Sequence, residues 1–245
     1  MDVHVLRPEQ QWAWQGPPLS DEQKAALKAE WAKAGTFPCA NHEVFKAAET
    51  AACATVAAGA SLKEAALILA GRGVPVFPCD PAPSGPHAKA PMTKGGFYAA
   101  TVDETVVTWW WDERPDALIG YPTGRRTNVL VVDADVPGHG HAEDEDGIEA
   151  WRALERKNDK VRTRTHKTAG GGLHLIFAYD EKRPVGTSKG RLPPGLDVRG
   201  DGGFVILPPS RLEDGREWRV DLDEHPADAP SWLLDKILGE EKGEK

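Results

Sequence analysis

The chain has 245 residues, 40% of them hydrophobic, and a formal net charge of −8, so it can form one large domain or two small ones around a substantial core. It contains no run of about 18 apolar residues and no N-terminal signal-peptide pattern, which argues against a membrane protein. The three cysteines are scattered and form no CxxC pair; this pattern favours a reducing cytoplasm and predicts neither a disulfide framework nor a structural zinc site.

The first part of the chain is predicted to be helical. Ser20 and Ser61 are each followed three residues later by Gln or Glu, which fits the capping box that opens a helix. A further helix is predicted between them over 43–58. We therefore interpret residues 1–60 as a helical N-terminal extension.

Beyond the third helix the sequence changes to short apolar runs separated by turn residues. Strands and helices follow one another without a regular βαβ alternation, so the predicted fold class is α+β. Strands are predicted over 74–77, 128–132, 161–167, 173–179, 203–207 and 218–220, and helices over 105–111, 147–157 and 231–238.

The charge is unevenly distributed. Residues 151–211 contain 13 Lys/Arg and 6 Asp/Glu, whereas residues 212–245 contain 5 and 11. A net negative chain argues against nucleic-acid binding, but a basic middle could face a phosphate chain while the acidic end stays solvated. A random mixture of surface charges is the alternative.

Asp133 and Asp135 end a run of apolar β-branched residues. Side chains two apart on a strand point to the same face, so these carboxylates could hold a hard divalent cation. The turn at 136–138 would leave them open to a substrate. The alternative is that they only cap the end of the strand, because Asp-x-Asp is a common pattern.

Three glycines, Gly170, Gly171 and Gly172, precede His174. Glycines let backbone amides approach a phosphate closely, and a histidine two residues later could contact the same group. A histidine inside an apolar strand can equally be a satisfied core residue. Both interpretations stay open from the residues alone.

Asp197 and Arg199 lie two residues apart in a short apolar stretch. They could form a structural ion pair. They could also supply a third metal-site carboxylate and a phosphate ligand.

The segment 160–167 alternates basic and other residues. On a strand, Arg162 and Arg164 would share one face and, with Lys167 nearby, could follow the backbone of a template. The alternative is a solvated edge strand, on which charges prevent aggregation.

Taken in order along the chain, these motifs resemble those of the bifunctional DNA primase/polymerase domain of the archaeo-eukaryotic primase superfamily. The resemblance runs from about Leu62 to about Val220 and includes the segment 202–210, Gly-Gly-Phe-Val-Ile-Leu-Pro-Pro-Ser. It is carried by three motifs, Asp133-x-Asp135, Gly172-x-His174 and Leu196-Asp197-x-Arg199.

The resemblance implies a primase-like catalytic core over 61–222, an RRM-like mixed sheet with flanking helices, followed by an acidic helix and tail over 223–245. It implies that Asp133, Asp135 and Asp197 hold two Mg²⁺ or Mn²⁺ ions and that, with His174, they form the catalytic set. His174 would contact the phosphates of the incoming nucleotide. Further nucleotide contacts are implied for Thr168, Gly170, Gly171, Gly172, Arg199, Ser210 and Lys94.

Many relatives carry serine where this chain has Gly172, so a hydroxyl contact is lost at that position. The function implied is synthesis or extension of primers on single-stranded DNA from NTP or dNTP, in replication of a phage, plasmid or other mobile element in a prokaryotic cytoplasm. A helicase would be a separate protein or would lie outside the given sequence. The alternatives are a repair polymerase that fills ends, a non-catalytic module that binds DNA and a helicase, and an unrelated metal-dependent phosphotransferase or nuclease.

Two further motifs are interpreted as structural rather than functional. Trp109, Trp110 and Trp111 cannot share one helix face, so some of them are predicted to be core rather than base-stacking residues. His139 and His141, near Asp144 and Asp146, are interpreted as part of a solvated acidic loop.

Overall fold

The computed structural model describes residues 19–137 and 145–240 and groups them in two compact units. Unit one contains 19–122 and 204–217, and unit two contains 123–137, 145–203 and 218–240. Helices and antiparallel sheets occur together, so the predicted α+β class is confirmed. No helix within the described residues is long and apolar enough to cross a membrane.

The described helices and strands are numbered in chain order. The helices are α1 (Asp21–Lys33), α2 (His42–Ala57), α3 (Leu62–Gly71), α4 (Glu104–Glu113), α5 (Gly147–Lys157) and α6 (Ser231–Leu238). The strands are β1 (Phe77–Cys79), β2 (Leu118–Pro122), β3 (Val129–Ala134), β4 (Arg164–Lys167), β5 (Leu173–Ala178), β6 (Leu196–Arg199), β7 (Phe204–Ile206), β8 (Arg219–Leu222) and β9 (Ala227–Asp228).

Unit one combines four helices with a three-stranded antiparallel sheet in the order β1–β2–β7. The capping boxes at Ser20 and Ser61 form as predicted and open α1 and α3. Helix α3 packs against both α2 and α4. Phe45 of α2 stacks on Tyr121 of β2 with ring centroids 5.1 Å apart, which joins a helix to the sheet.

Unit two is built on a sheet in the order β6–β3–β5–β4–β8. Neighbouring strands on this path are antiparallel, and the short β9 pairs with β5 in parallel beyond the start of β4. The alternation along each strand separates two faces of this sheet.

One face of this sheet is apolar and carries helices α5 and α6. Its side chains form a single buried cluster with both helices. Trp151 of α5 lies at the centre of this layer, 6.0 Å from the ring of Phe177 and 5.7 Å from that of Trp232. Because this face is sealed by two helices, polar chemistry on the sheet is confined to the opposite face.

Several boundaries differ from the sequence expectation. The first strand covers Phe77–Cys79 rather than 74–77, and β4 begins at Arg164 rather than 161. Strands β2, β6 and β9 were not predicted. The expected division into 1–60, 61–222 and 223–245 stays a prediction; the compact units divide the chain differently, because α2 packs on α3 within unit one.

Candidate active site

A row of polar residues crosses the face of the unit-two sheet that lies opposite helices α5 and α6. Asp133 of β3 is directly opposite Asp197 of β6 on one side and His174 of β5 on the other. His174 in turn is opposite His166 of β4. Opposed residues of an antiparallel pair point to the same face. The fold therefore brings together three of the predicted catalytic residues, although 64 positions separate the first from the last.

These residues are buried. Asp133 is 9% exposed, His174 6% and Asp197 3%. A buried carboxylate requires a cation or hydrogen-bond donors to stabilise its charge. The surroundings of the two aspartates supply both.

Arg199 connects the two aspartates. Its Nη2 lies 3.0 Å from Oδ2 of Asp133 and 3.3 Å from Oδ2 of Asp197. His174 lies on the other side of Asp133, with Nε2 3.5 Å from Oδ1. The strand alternation places Arg199 on the same face as Asp197, as the sequence predicted. The observed ion pair is compatible both with a purely structural role and with a metal-site carboxylate beside a phosphate ligand.

The carboxylate pair offers the oxygen donors that a hard divalent cation uses. One cationic nitrogen already touches an oxygen of each aspartate, so a single cation can bridge the two side chains. Carboxylate oxygens are the donors that Mg²⁺ and Mn²⁺ prefer. Among residues 19–137 and 145–240, however, no group of three His, Cys, Asp or Glu is already gathered with the geometry of a metal site. Metal binding by Asp135, the third ligand expected from the sequence, stays a prediction.

Asp135 lies just past the end of β3, where three glycines bring backbones unusually close. Its N–H donates to the carbonyl of Gly195 at 2.9 Å, and its own carbonyl accepts from the N–H of Gly147, the first residue of α5, at 2.8 Å. A Cβ on Gly147 would collide with the Gly195 carbonyl, and one on Gly172 with the carbonyl of Ala134. The backbone of Asp135 is thus fixed between the start of α5 and the loop before β6.

The glycine run forms the turn between β4 and β5. The N–H of Thr168 donates to the Gly172 carbonyl, and the N–H of Gly171 donates to the Thr168 carbonyl, both at 2.9 Å. Gly171 has φ of +94°, which favours glycine. The Gly171 amide is used inside the turn, and Gly172 has a packing reason to be glycine. Phosphate contacts by Thr168, Gly170, Gly171 and Gly172 stay predictions.

Lys189 is a site residue that the sequence interpretation missed. Ser188 and Val198 exchange backbone hydrogen bonds of 3.0 Å in an antiparallel bridge, which places Lys189 opposite Asp197. Its Nζ lies 3.1 Å from Oδ2 of Asp197, while its side chain is 71% exposed. The two prolines and the glycine at 193–195 are a turn signal that would have suggested a hairpin here.

His166 is the second missed residue of the row. It is fully buried on the same face as His174. The sequence signal was weak, because a histidine in a short basic strand has no characteristic spacing to His174.

The shared exposed face expected for Arg162 and Arg164 does not form. Arg162 precedes β4 and pairs with Glu224 through an exposed side chain. Arg164 is fully buried, donates to Asp223 at 2.7 Å and contacts the carbonyl of Glu224. Its guanidinium is therefore a structural group of unit two, which corrects the expectation that it follows a template. Template contacts by Arg162 and Lys167 stay predictions.

Two expected nucleotide contacts lie in unit one. Ser210 is fully buried, and its Oγ accepts the N–H of Ile119 in β2 at 2.8 Å. This hydroxyl therefore satisfies a strand amide in the structure, and its contact with nucleotide stays a prediction. Lys94 lies half-buried in the loop before a short 3-10 turn at Gly96–Ala99, and its contact with nucleotide stays a prediction.

A second polar group supports the loop after β6. Asp201 accepts a hydrogen bond from the hydroxyl of Tyr179 at 2.7 Å and from the N–H of Arg125 at 3.0 Å. Burial and the neighbouring Asp201 carboxylate raise the pKa of Tyr179 well above its ordinary value, so this phenol stays protonated and donates. The turn that follows Arg199 is held in place by these bonds.

His139, His141 and Asp144 lie outside the described residues. Asp146 caps α5, and its side chain accepts the N–H of Glu149. Trp110 and Trp111 are buried in unit one, in agreement with the core interpretation.

The sheet of unit two has helices on one face and, on the other, two buried aspartates, a buried histidine and a partly exposed arginine, which defines an α+β protein with a compact polar site. The chain belongs to the family of bifunctional DNA primase/polymerase N-terminal domains, which matches residues 66–232. It is thus an enzyme of the primase/polymerase class, as the motifs predicted. A comparison with curated proteins found no match.

Proposed function

We propose that this protein synthesises and extends primers on single-stranded DNA by transferring nucleotides from NTP or dNTP. The observation that carries the proposal is the joint contact of Arg199 with the buried carboxylates of Asp133 and Asp197. The guanidinium of Arg199 already bridges the two side chains that the family resemblance assigns to metal binding. The five-strand antiparallel path with α5 and α6 on one face supports a primase-like core.

Asp133, Asp197 and Asp135 would hold two Mg²⁺ or Mn²⁺ ions. When bound, such ions lower the pKa of the attacking hydroxyl and stabilise the charge of the departing pyrophosphate. The reaction forms a bond between the primer 3′-oxygen and the α-phosphorus and breaks the bond from that phosphorus to pyrophosphate. The sheet contributes rigidity, since opposed positions on β3 and β6 fix both carboxylates.

Arg199 and His174 would hold the nucleotide. Both now contact aspartate oxygens, and both can donate hydrogen bonds to phosphate once a metal occupies the carboxylates. Donors that are fixed before the substrate arrives stabilise charge in the transition state at little cost in reorganisation. This is the main catalytic contribution we assign to the protein itself.

The template would be held by basic groups at the edge of unit two, with Arg162 and Lys167 as the candidates. The side chain of Arg162 is 73% exposed and pairs only with a surface carboxylate among its described ion pairs, so a phosphate can displace its partner. The family resemblance supports a role in replication of a phage, plasmid or other mobile element, together with a helicase.

The test is nucleotide incorporation on single-stranded DNA, with and without a primer, in Mg²⁺ or Mn²⁺. Products formed without a primer by the wild type, and lost in Asp133→Asn, are the expected result. Extension only from a primer would replace the primase proposal with a repair-type polymerase. DNA binding without incorporation under either metal would contradict an enzymatic role and leave an accessory module.

A further inference from the structure

The ion pair between Lys189 and Asp197 joins two groups of very different burial. The Lys189 side chain is 71% exposed, whereas that of Asp197 is 4% exposed. The lysine therefore reaches inward from solvent to a buried carboxylate. Because most of its long stem is exposed, it can leave this contact with little loss of packing.

Lys189 and Arg199 contact the same oxygen. Oδ2 of Asp197 lies 3.1 Å from Nζ of Lys189 and 3.3 Å from Nη2 of Arg199. A metal ion bound to this oxygen must displace at least one of these cations, because the ion needs a distance of about 2.0–2.2 Å to carboxylate oxygen and repels both. The exposed lysine is the one with the lower cost of movement.

The displaced cation would meet a strong excess of positive charge. Metal ions added to the three aspartates outweigh the carboxylate charges, and Lys189 and Arg199 then lack their partners. The polyphosphate of a nucleotide is the ligand that neutralises such a set.

We propose that Lys189 is a further binding residue for the triphosphate of the incoming nucleotide, and that it exchanges Asp197 for phosphate when metal binds. This inference rests on the proposed function, since it assumes that metal and nucleotide share the site. In the absence of ligands, Lys189 is a replaceable counter-ion of Asp197. In the loaded site, it is an additional hydrogen-bond donor to phosphate.

The proposal predicts opposite changes in two affinities. Lys189→Met removes a competitor for Asp197, so Mn²⁺ alone should bind about two- to fivefold more tightly. The same variant loses a charge-assisted hydrogen bond to phosphate, so a non-hydrolysable dNTP should bind about tenfold more weakly in the presence of Mn²⁺. A purely structural role for the lysine would not separate the two affinities in this way.

Both affinities can be measured without catalysis. Mn²⁺ binding is followed by electron paramagnetic resonance of the free ion, and nucleotide binding by anisotropy of a labelled α,β-methylene dNTP. Inorganic tripolyphosphate serves as a competitor that has no base or sugar, and Lys189→Met should weaken its competition to a similar extent. Lys189→Arg should recover most of the nucleotide affinity.

Lys182→Met is the matched control, because Lys182 is exposed and lies in the same connection between β5 and β6. Its side chain is outside the proposed site, so both affinities should stay at the wild-type values. Nucleotide binding by Lys189→Met within twofold of wild type, or an equal loss in Lys182→Met, would overturn the proposal. Weaker Mn²⁺ binding by Lys189→Met would also overturn it, because the lysine would then not compete with metal.

The two proposals fail separately. If wild type binds Mn²⁺ and dNTP but incorporates nothing, the proposed function fails and the role of Lys189 in binding is still decided by the variants. If wild type makes primers and Lys189→Met binds nucleotide normally, only the present inference fails.

Discussion

Asp133 and Asp197 lie opposite each other in the β3–β6 ladder, and a single nitrogen of Arg199 lies within 3.3 Å of both carboxylates. Two buried like charges at adjacent ladder positions would repel each other without this contact. The arginine therefore stabilises the ligand-free fold, and a bound metal ion can neutralise the same two carboxylates in its place.

Arg199→Met should lower the free energy of unfolding in EDTA by about 1–3 kcal/mol. Removing one partner of a fully buried pair costs about 3–5 kcal/mol, but the Arg199 side chain is 25% exposed and Lys189 still contacts Asp197. Mn²⁺ should restore much of the loss, because it binds the folded carboxylates. Urea denaturation with EDTA or Mn²⁺ measures both quantities, and Arg191→Met is an exposed control. A loss that Mn²⁺ leaves unchanged would show that Arg199 does not act on the carboxylates.

Gly172→Ala should disturb the site more than Gly171→Ala. A Cβ at 172 collides with the Ala134 carbonyl, next to Asp135, whereas a Cβ at 171 meets only a methyl of Val136 at 3.9 Å. The second change strains a residue of φ +94° and should cost about 1 kcal/mol. We expect Gly172→Ala to lower both Mn²⁺ affinity and Tm, and Gly171→Ala to lower Tm alone. Equal Mn²⁺ affinity in the two variants would contradict the packing role of Gly172.

Substitutions of Arg162 and Arg164 should have different effects on stability and on DNA binding. Arg164→Met removes a fully buried cation whose partner Asp223 is 59% exposed, and should cost about 2–4 kcal/mol of stability. Arg162→Met breaks an exposed pair and should change stability by less than about 0.5 kcal/mol. If Arg162 contacts template phosphates, its loss should reduce the slope of the logarithm of the DNA-binding constant against the logarithm of the salt concentration by about 1. Thermal denaturation and anisotropy with single-stranded DNA measure these effects; DNA binding unchanged by Arg162→Met would remove it from the template interface.

The contribution of Glu64 to stability should depend on pH. The backbone N–H of Ser61 and then its hydroxyl donate to this carboxylate, and both lower the pKa of Glu64 from the ordinary 4.5. A lowered folded pKa means that the stabilisation is present above pH 4.5 and is lost as the pH falls through the folded value. Glu64→Gln keeps the geometry of the capping box without the charge. The stability difference between wild type and this variant should shrink below pH 4.5; a difference that grows in acid would contradict the sign.

Local signals explain which elements the sequence predicted. Helices α5 and α6 match the expected bounds because each has an apolar face and clear terminal residues, Asp146 before one and Gly239 after the other. Strand β2 contains Gly120 and Pro122 and was missed, since its strand conformation depends on pairing with β1 and β7 rather than on propensity. Strand β6 was missed for a similar reason.

Some residues of the candidate site could be predicted from local sequence, and others could not. The aspartates and His174 could be identified from residue types and the resemblance of their motifs. Lys189 and His166 enter the row only through long-range register, which no local spacing encodes. The burial of Arg164 was likewise invisible, because an alternating basic segment predicts a shared face but not whether that face is solvated.

The most direct test of the central claim is Mn²⁺-dependent primer synthesis by wild type, Asp133→Asn and Asp197→Asn on single-stranded DNA. Each substitution keeps the size of the side chain and removes a metal-binding charge. The account predicts that both variants lose at least about a hundredfold in incorporation rate while still folding and binding DNA. Incorporation by either variant within a few-fold of wild type would contradict the assignment of these two carboxylates to catalysis.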